Sequence, residues 1–196
     1  MIALADIEAA RERIAGAAIR TPLVRLRVED APADIHLKLE NLQSISSFKI
    51  RGATNAVRLA PPTASASGLV TASAGNMAQG VAWAARSLGV PATIAVPEHA
   101  PEAKLAAIAR LGGQVVKLPY DDWWNVIVTS RLDGAEGLFV HPVQDPAVMA
   151  GNGTIGLEII EDLPAPDAVV IPYGGGGLAV GIASAIRALR PPPFLR

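Results

Sequence analysis

The sequence predicts a doubly wound α/β fold built around a mainly parallel sheet. Short apolar runs alternate with longer helical patterns, turn residues punctuate them, and one run leads into four consecutive glycines. The runs at 35–40, 69–71, 92–97, 114–119, 138–140 and 168–172 read as strands. The first, "IHLKLE", alternates apolar and polar side chains with period two. Patterns at 49–60, 77–88, 101–111, 122–132, 145–162 and 178–190 read as helices. The opening "MIALADIEAARERIAG" mixes acidic and basic residues, so it reads as an amphipathic helix capped near Asp6 and not as a signal peptide. "APPTASASG" (60–68) has the composition of a loop, and the prolines of "LRPPPFLR" cannot continue the last helix.

Composition narrows the class. A chain of 196 residues can bury a sizeable core, and 51% apolar content with a net charge of −1 fits neither disorder nor a basic nucleic-acid footprint. The absence of cysteine excludes a disulfide framework and a thiolate metal site. His36, His99 and His141 lack metal-ligand spacing, and His141 reads as a strand-end residue. Asp121 and Asp122 ahead of Trp123 and Trp124 read as a helix start with packing aromatics. Residues 168–186 carry no charge, but Pro172 and the glycine run argue against a membrane helix. The resulting expectation is a cytoplasmic protein with no nucleic-acid or membrane partner.

Three stretches carry chemistry. In "DAVVIPYGGGGLAVGIASAIRAL", Gly174, Gly175, Gly176 and Gly177 lie between a strand and a small-residue helix. Backbone N–H groups free of Cβ atoms, at the positive end of a helix, suit a phosphate. A dinucleotide fingerprint would need an acidic residue about twenty positions later. No Asp or Glu follows Asp167, and no lysine follows Lys117, which excludes a P-loop. In "TASAGNMAQG", Ser73 to Asn76 precede a helix and could hold a small anion such as a carboxylate. In "SSFKIRGA", Lys49, one of four lysines, stands between Phe48 and Ile50. A free lysine amine is protonated at neutral pH, and burial or an imine link to an aldehyde removes that handicap. A lysine, a phosphate cradle and a carboxylate site together describe pyridoxal 5'-phosphate chemistry.

These residues lie in five ordered motifs: "RTPL" (20–23), "KLENLQSISSFKIRGA" (38–53), "TASAGNMAQGVA" (71–82), "FVHPVQDPAVMAGNGTIGLEI" (139–159) and "PYGGGGLAVGI" (172–182). In them the chain resembles the threonine dehydratase and serine racemase group of pyridoxal-phosphate enzymes, with the tryptophan-synthase-β-like fold. The resemblance implies two doubly wound parallel-sheet lobes, the larger formed by 1–67 and 141–196 and incomplete at its C-terminus, the smaller by 68–140. It implies that Lys49 carries the cofactor as a Schiff base and takes the substrate Cα proton, and that Phe48 packs beside the ring. Asn76 would bind the 3-hydroxyl, while Gly174 to Gly177 with Leu178 would hold the phosphate. Ser73, Ala74, Gly75, Asn76 and Met77 would hold the substrate carboxylate.

The implied activity is elimination of water and ammonia from threonine, serine or a related β-hydroxy amino acid, in a homodimer without a metal among these residues. Departures from the family pattern bear on this. Met77 stands where histidine is common, and "SIS" (44–46) replaces the usual residues, a glycine included, ahead of the Ser-Phe-Lys core. Ala74 stands where racemases of the group carry a serine, which favours dehydration over racemisation. Family domains also continue well past the glycine helix, so a truncated product is expected. Its rival readings are an inactive ligand-binding or interaction module and an amino-acid racemase.

Overall fold

The computed structural model describes residues 1–190; the tri-proline segment expected to end the last helix lies outside them. A four-stranded parallel sheet in the order β5-β4-β3-β6 forms from β3 (Leu69–Ala72), β4 (Ala92–Pro97), β5 (Gly113–Leu118) and β6 (Leu138–Phe139). Leu69 pairs with Ala92 on one side and with Leu138 on the other, and Ala92 pairs with Gly113. Helices α4 (Asn76–Leu88), α5 (Glu102–Arg110) and α6 (Tyr120–Thr129) make the crossovers. Alternate strand residues face opposite layers. Leu69, Ala92, Ile94 and Val96 pack with α4 and α5, while Val70, Ala72 and Ala95 pack with Val126 of α6. Both faces are therefore covered, as the apolar, non-alternating strands require. The doubly wound class is borne out.

The remaining helices form a second layer of helix on helix: α1 (Leu4–Ile14), α2 (Lys49–Leu59), α7 (Pro146–Asp162) and α8 (Gly177–Leu189). α7 starts on an Asp145 cap whose Oδ1 accepts from Ala147 N at 2.7 Å, with Pro146 in the first turn. It then runs past α2 and α8 almost backbone to backbone. A Cβ at Gly151 would lie 2.5 Å from the Arg51 carbonyl oxygen, and one at Gly181 would overlap the Met149 carbonyl. Only hydrogen fits at those two positions. Among the described residues no helix is long and apolar enough to cross a membrane.

Several elements differ from the sequence-based expectation. The 168–172 run forms no strand: none of its backbone groups hydrogen-bonds to the backbone of another described residue. Its side chains still alternate, Val169 and Ile171 turning onto α7 and α8 while Val170 is 95% exposed. The local signal is that of a strand, but pairing needs a neighbour, and no described strand stands beside it. It lines one wall of a groove of about 780 Å³ opposite Leu37 and Lys38. The 35–40 run shortens to β2 (His36–Lys38), which pairs antiparallel with β1 (Leu23–Arg25) apart from the main sheet. α1 starts after Ala3, so Asp6 is not the cap; it sits in the first turn, where its charge faces the helix dipole. Within the 60–68 loop, Pro62–Ser65 makes one short helix, α3. α6 begins at Tyr120 and stops at Ser130, which adopts a left-handed conformation, ahead of the expected 132.

The α7–α8 contact makes a sharp test. Gly181→Ala should lower the urea unfolding midpoint by the equivalent of about 1–3 kcal/mol, the usual cost of overpacking. A midpoint equal to wild type would contradict the close approach.

Candidate active site

At the carboxyl end of the parallel sheet three segments converge. β3 ends at Ala72, and Ser73 to Gly75 form a turn in which Gly75 N donates to Ser73 Oγ at 3.1 Å. α4 begins immediately, with Asn76 exposed and its side chain without a hydrogen bond among the described residues. Met77, by contrast, is 2% exposed and its thioether lies in the core, so only its backbone can face a ligand. Ala74 packs against the same core cluster. Gly80, one turn on, meets the Lys49 carbonyl: a Cβ there would come to 3.1 Å. The Ser73–Met77 turn and the start of α2 are thus neighbours.

Lys49 is the first residue of α2 and its N–H donates to Ser47 Oγ at 3.3 Å. Its amine, 5.4 Å from the Phe48 ring centroid, donates to the Pro142 carbonyl at 3.0 Å. No carboxylate pairs with it among the described residues. Burial accordingly pushes the Lys49 pKa below the ordinary lysine value. Phe48 itself packs against the cluster that Ile155 and Ile159 of α7 form with Ile182 and Ile186 of α8, and Leu178 joins the same cluster.

Pro142 and Val143 complete the connection; they lie in the 139–159 motif, but no role is expected of them from the sequence. His141 follows β6 by one residue, and its Nδ1 accepts from Val143 N at 3.1 Å and Gln144 N at 2.9 Å. That shapes the turn. Val143 then abuts the glycine loop: a Cβ at Gly175 would lie 2.5 Å from its Cγ2, and one at Gly177 2.8 Å from its carbonyl oxygen. Gly176 has φ +89° and caps α8, while Gly174 faces open space. The N–H groups of Gly174 to Leu178 have no acceptor among the described residues. One dipeptide therefore touches the lysine amine on one side and the glycine cradle on the other.

A cradle of unpaired N–H groups at a helix N-terminus accepts a phosphate, and a desolvated amine nearby suits an aldehyde. These residues fit pyridoxal phosphate. A family model described as pyridoxal-phosphate dependent enzyme matches residues 14–195. The chain belongs to that family. Among curated members of the pyridoxal-phosphate-dependent family, L-threonine ammonia-lyase of Thermotoga maritima is 45% identical, over 97% of this chain and 48% of its own length. Among solved structures, threonine deaminase isoform 2 from Solanum lycopersicum superposes with a TM-score of 0.84 at 36% identity, covering 96% of this chain and 55% of that one. Maize serine racemase superposes at 0.90 with 32% identity, covering 97% and 59%. The chain thus spans about half the length of the relatives it matches. The tryptophan-synthase-β-like class expected from the motifs stands.

The Lys49 amine is held against the interest of stability, with burial opposing its charge and one carbonyl as partner. In the fold it releases its proton at lower pH than in the unfolded chain. Below the folded pKa the penalty is therefore present in full, and it fades as pH rises to the unfolded value. Lys49→Met should raise the unfolding midpoint at pH 7, by no more than about 2 kcal/mol, with the gain shrinking in alkali. A loss of stability at pH 7 would show the amine to be a structural contact.

Proposed function

We propose that this chain is the catalytic part of an ammonia-lyase that converts threonine, serine or a related β-hydroxy amino acid to a 2-oxo acid and ammonia. The observation that carries the reading is the Lys49 amine at the Pro142 carbonyl, next to the glycine loop that Val143 supports. The names of the relatives, threonine ammonia-lyase and threonine deaminase, supply the substrate class.

In this reading bound pyridoxal phosphate supplies an electron sink for the charge left at Cα. Gly174 to Gly177 and Leu178 hold its phosphate with backbone N–H groups, Phe48 flanks its ring, and Asn76, poised at the mouth, bonds its hydroxyl. Ser73, Ala74, Gly75, Asn76 and Met77 orient the substrate carboxylate at the N-terminus of α4. Lys49, whose pKa burial lowers, would hold the cofactor's aldehyde through its amine and, once free, would take the Cα proton. Loss of the β-hydroxyl as water, followed by hydrolysis, leaves a 2-oxo acid and ammonia. Ala74 offers no hydroxyl to return a proton from the other side, which favours elimination over racemisation.

The division into a lobe of 1–67 with 141–196 and a lobe of 68–140 belongs to the same proposal. Its support is that the whole parallel sheet lies within 69–139 while α1, α2, α7 and α8 pack on one another. The proposal includes a cytoplasmic location, drawn from composition, and a homodimer, drawn from the family resemblance.

Mixing the purified chain with pyridoxal phosphate should produce a visible absorption band that borohydride bleaches and Lys49→Ala removes. The wild-type chain should then release 2-oxo acid from threonine or serine, and Lys49→Ala should lower that rate at least about 100-fold. No band would reject the cofactor site. A band without turnover would favour a ligand-binding module.

A further inference from the structure

Five motif stretches mark this chain, yet the candidate site uses only part of them. Thr21, Lys38, Glu40, Arg51, Thr154 and Glu158 have no place in it. All six meet in one buried cluster. Arg51 is 1% exposed. Its Nε and Nη2 donate to the two Glu40 oxygens at 2.8 Å each, and its Nη1 and Nη2 donate to the two Glu158 oxygens at 2.6 and 2.9 Å. Nη1 also reaches Thr154 Oγ1 and Nη2 reaches the Ile19 carbonyl, both at 3.0 Å. Thr21 donates to Glu40 at 2.6 Å, and Lys38 Nζ sits 2.6 Å from Glu158. Arg51 and Lys38 face Glu40 and Glu158, and Asp162 Oδ2 stands 3.9 Å from Lys38 at the rim of the cluster.

Its position gives it a role. Arg51 follows Lys49 by two residues, which on an α-helix is about 200° around the axis. The forks therefore grip the back of the same helical turn that presents the amine at its front. α7 presses on that turn through Gly151 against the Arg51 carbonyl, and α4 presses through Gly80 against the Lys49 carbonyl. Rotation of the turn would have to break two bidentate pairs, the strongest hydrogen-bonded geometry available to arginine.

We propose that Arg51 is a positioning residue for Lys49: its double fork to Glu40 and Glu158 locks the first turn of α2 and holds the amine at Pro142 and the glycine loop. This deepens the proposed function and rests on it for the use of the amine, though the lock itself belongs to the chain without cofactor. Lysine at position 51 keeps the charge and loses both forks, because an ammonium is a point donor.

The decisive measurement is the pH dependence of acylation at Lys49, read by mass spectrometry on the chain without cofactor. Wild type should titrate below the ordinary lysine value. In Arg51→Lys, with the far-ultraviolet spectrum of a folded chain, the midpoint should move up by about half a pH unit or more, a threefold loss of neutral amine at fixed pH. Glu40→Gln keeps the shape and breaks one fork, and should move the midpoint the same way by less. Should Arg51→Lys fail to fold, Glu40→Gln decides. Folded variants with the wild-type midpoint would overturn the proposal. A midpoint shift in a chain that never gains the visible band would reject the lyase reading and keep the lock. The band with no shift would do the reverse.

Discussion

The close approach of helix backbones around α7 is the constraint on which the rest depends. Where a side chain would ordinarily hold two helices about 8–10 Å apart, Gly151 lets the Arg51 carbonyl of α2 reach α7, and Gly181 lets the Met149 carbonyl of α7 reach α8. α7 enters from the turn at Pro142 and Val143, and α8 enters from the glycine loop. Locking their axes together therefore locks the two entrances together. The distance between the lysine amine and the glycine loop is set behind the site, where α7 packs on α2 and α8. Small residues in the sequence patterns of α7 and α8 serve geometry first.

Two cations two positions apart are treated in opposite ways. Arg51 is deeply buried, and burial opposes its charge, but Glu40 and Glu158 outweigh that and hold its pKa above the ordinary value. Lys49 is half-buried with a lone carbonyl, and its pKa falls. The chemistry of the side chains matches the division. A guanidinium cannot release its proton and makes a permanent anchor, whereas an amine changes state with modest desolvation. An amine of lowered pKa at the front of the turn is backed by a fixed, paired charge behind it.

Much of this was legible in the sequence, because it is local. Period-two and helical patterns located nearly every element, the glycine run marked the loop whose N–H groups stand without acceptors among the described residues, and Lys49 between apolar neighbours marked an unusual amine. What the sequence hid was long-range. Arg51 and Glu158 are 107 residues apart, and nothing in either stretch announces the other. Pro142 and Val143 matter through where β6 delivers them and carry no special chemistry. Met77 looked like part of a ligand turn, and its side chain went to the core because the first turn of α4 buries that face. At 168–172 the periodicity was right, yet a strand is a property of two chains of backbone and not of one.

That unpaired run has a consequence for life outside the folded monomer. With Val170 outward and no ladder on either side among the described residues, Ala168 to Pro172 offers a two-sided template to any extended polypeptide that meets it. Pro166 and Pro172 bracket it and limit growth along the edge, as gatekeeper prolines do. Whether such a surface recruits its proper neighbour or a stray copy of itself is then a race between folding and encounter. Concentration and time, more than free energy, decide who arrives first.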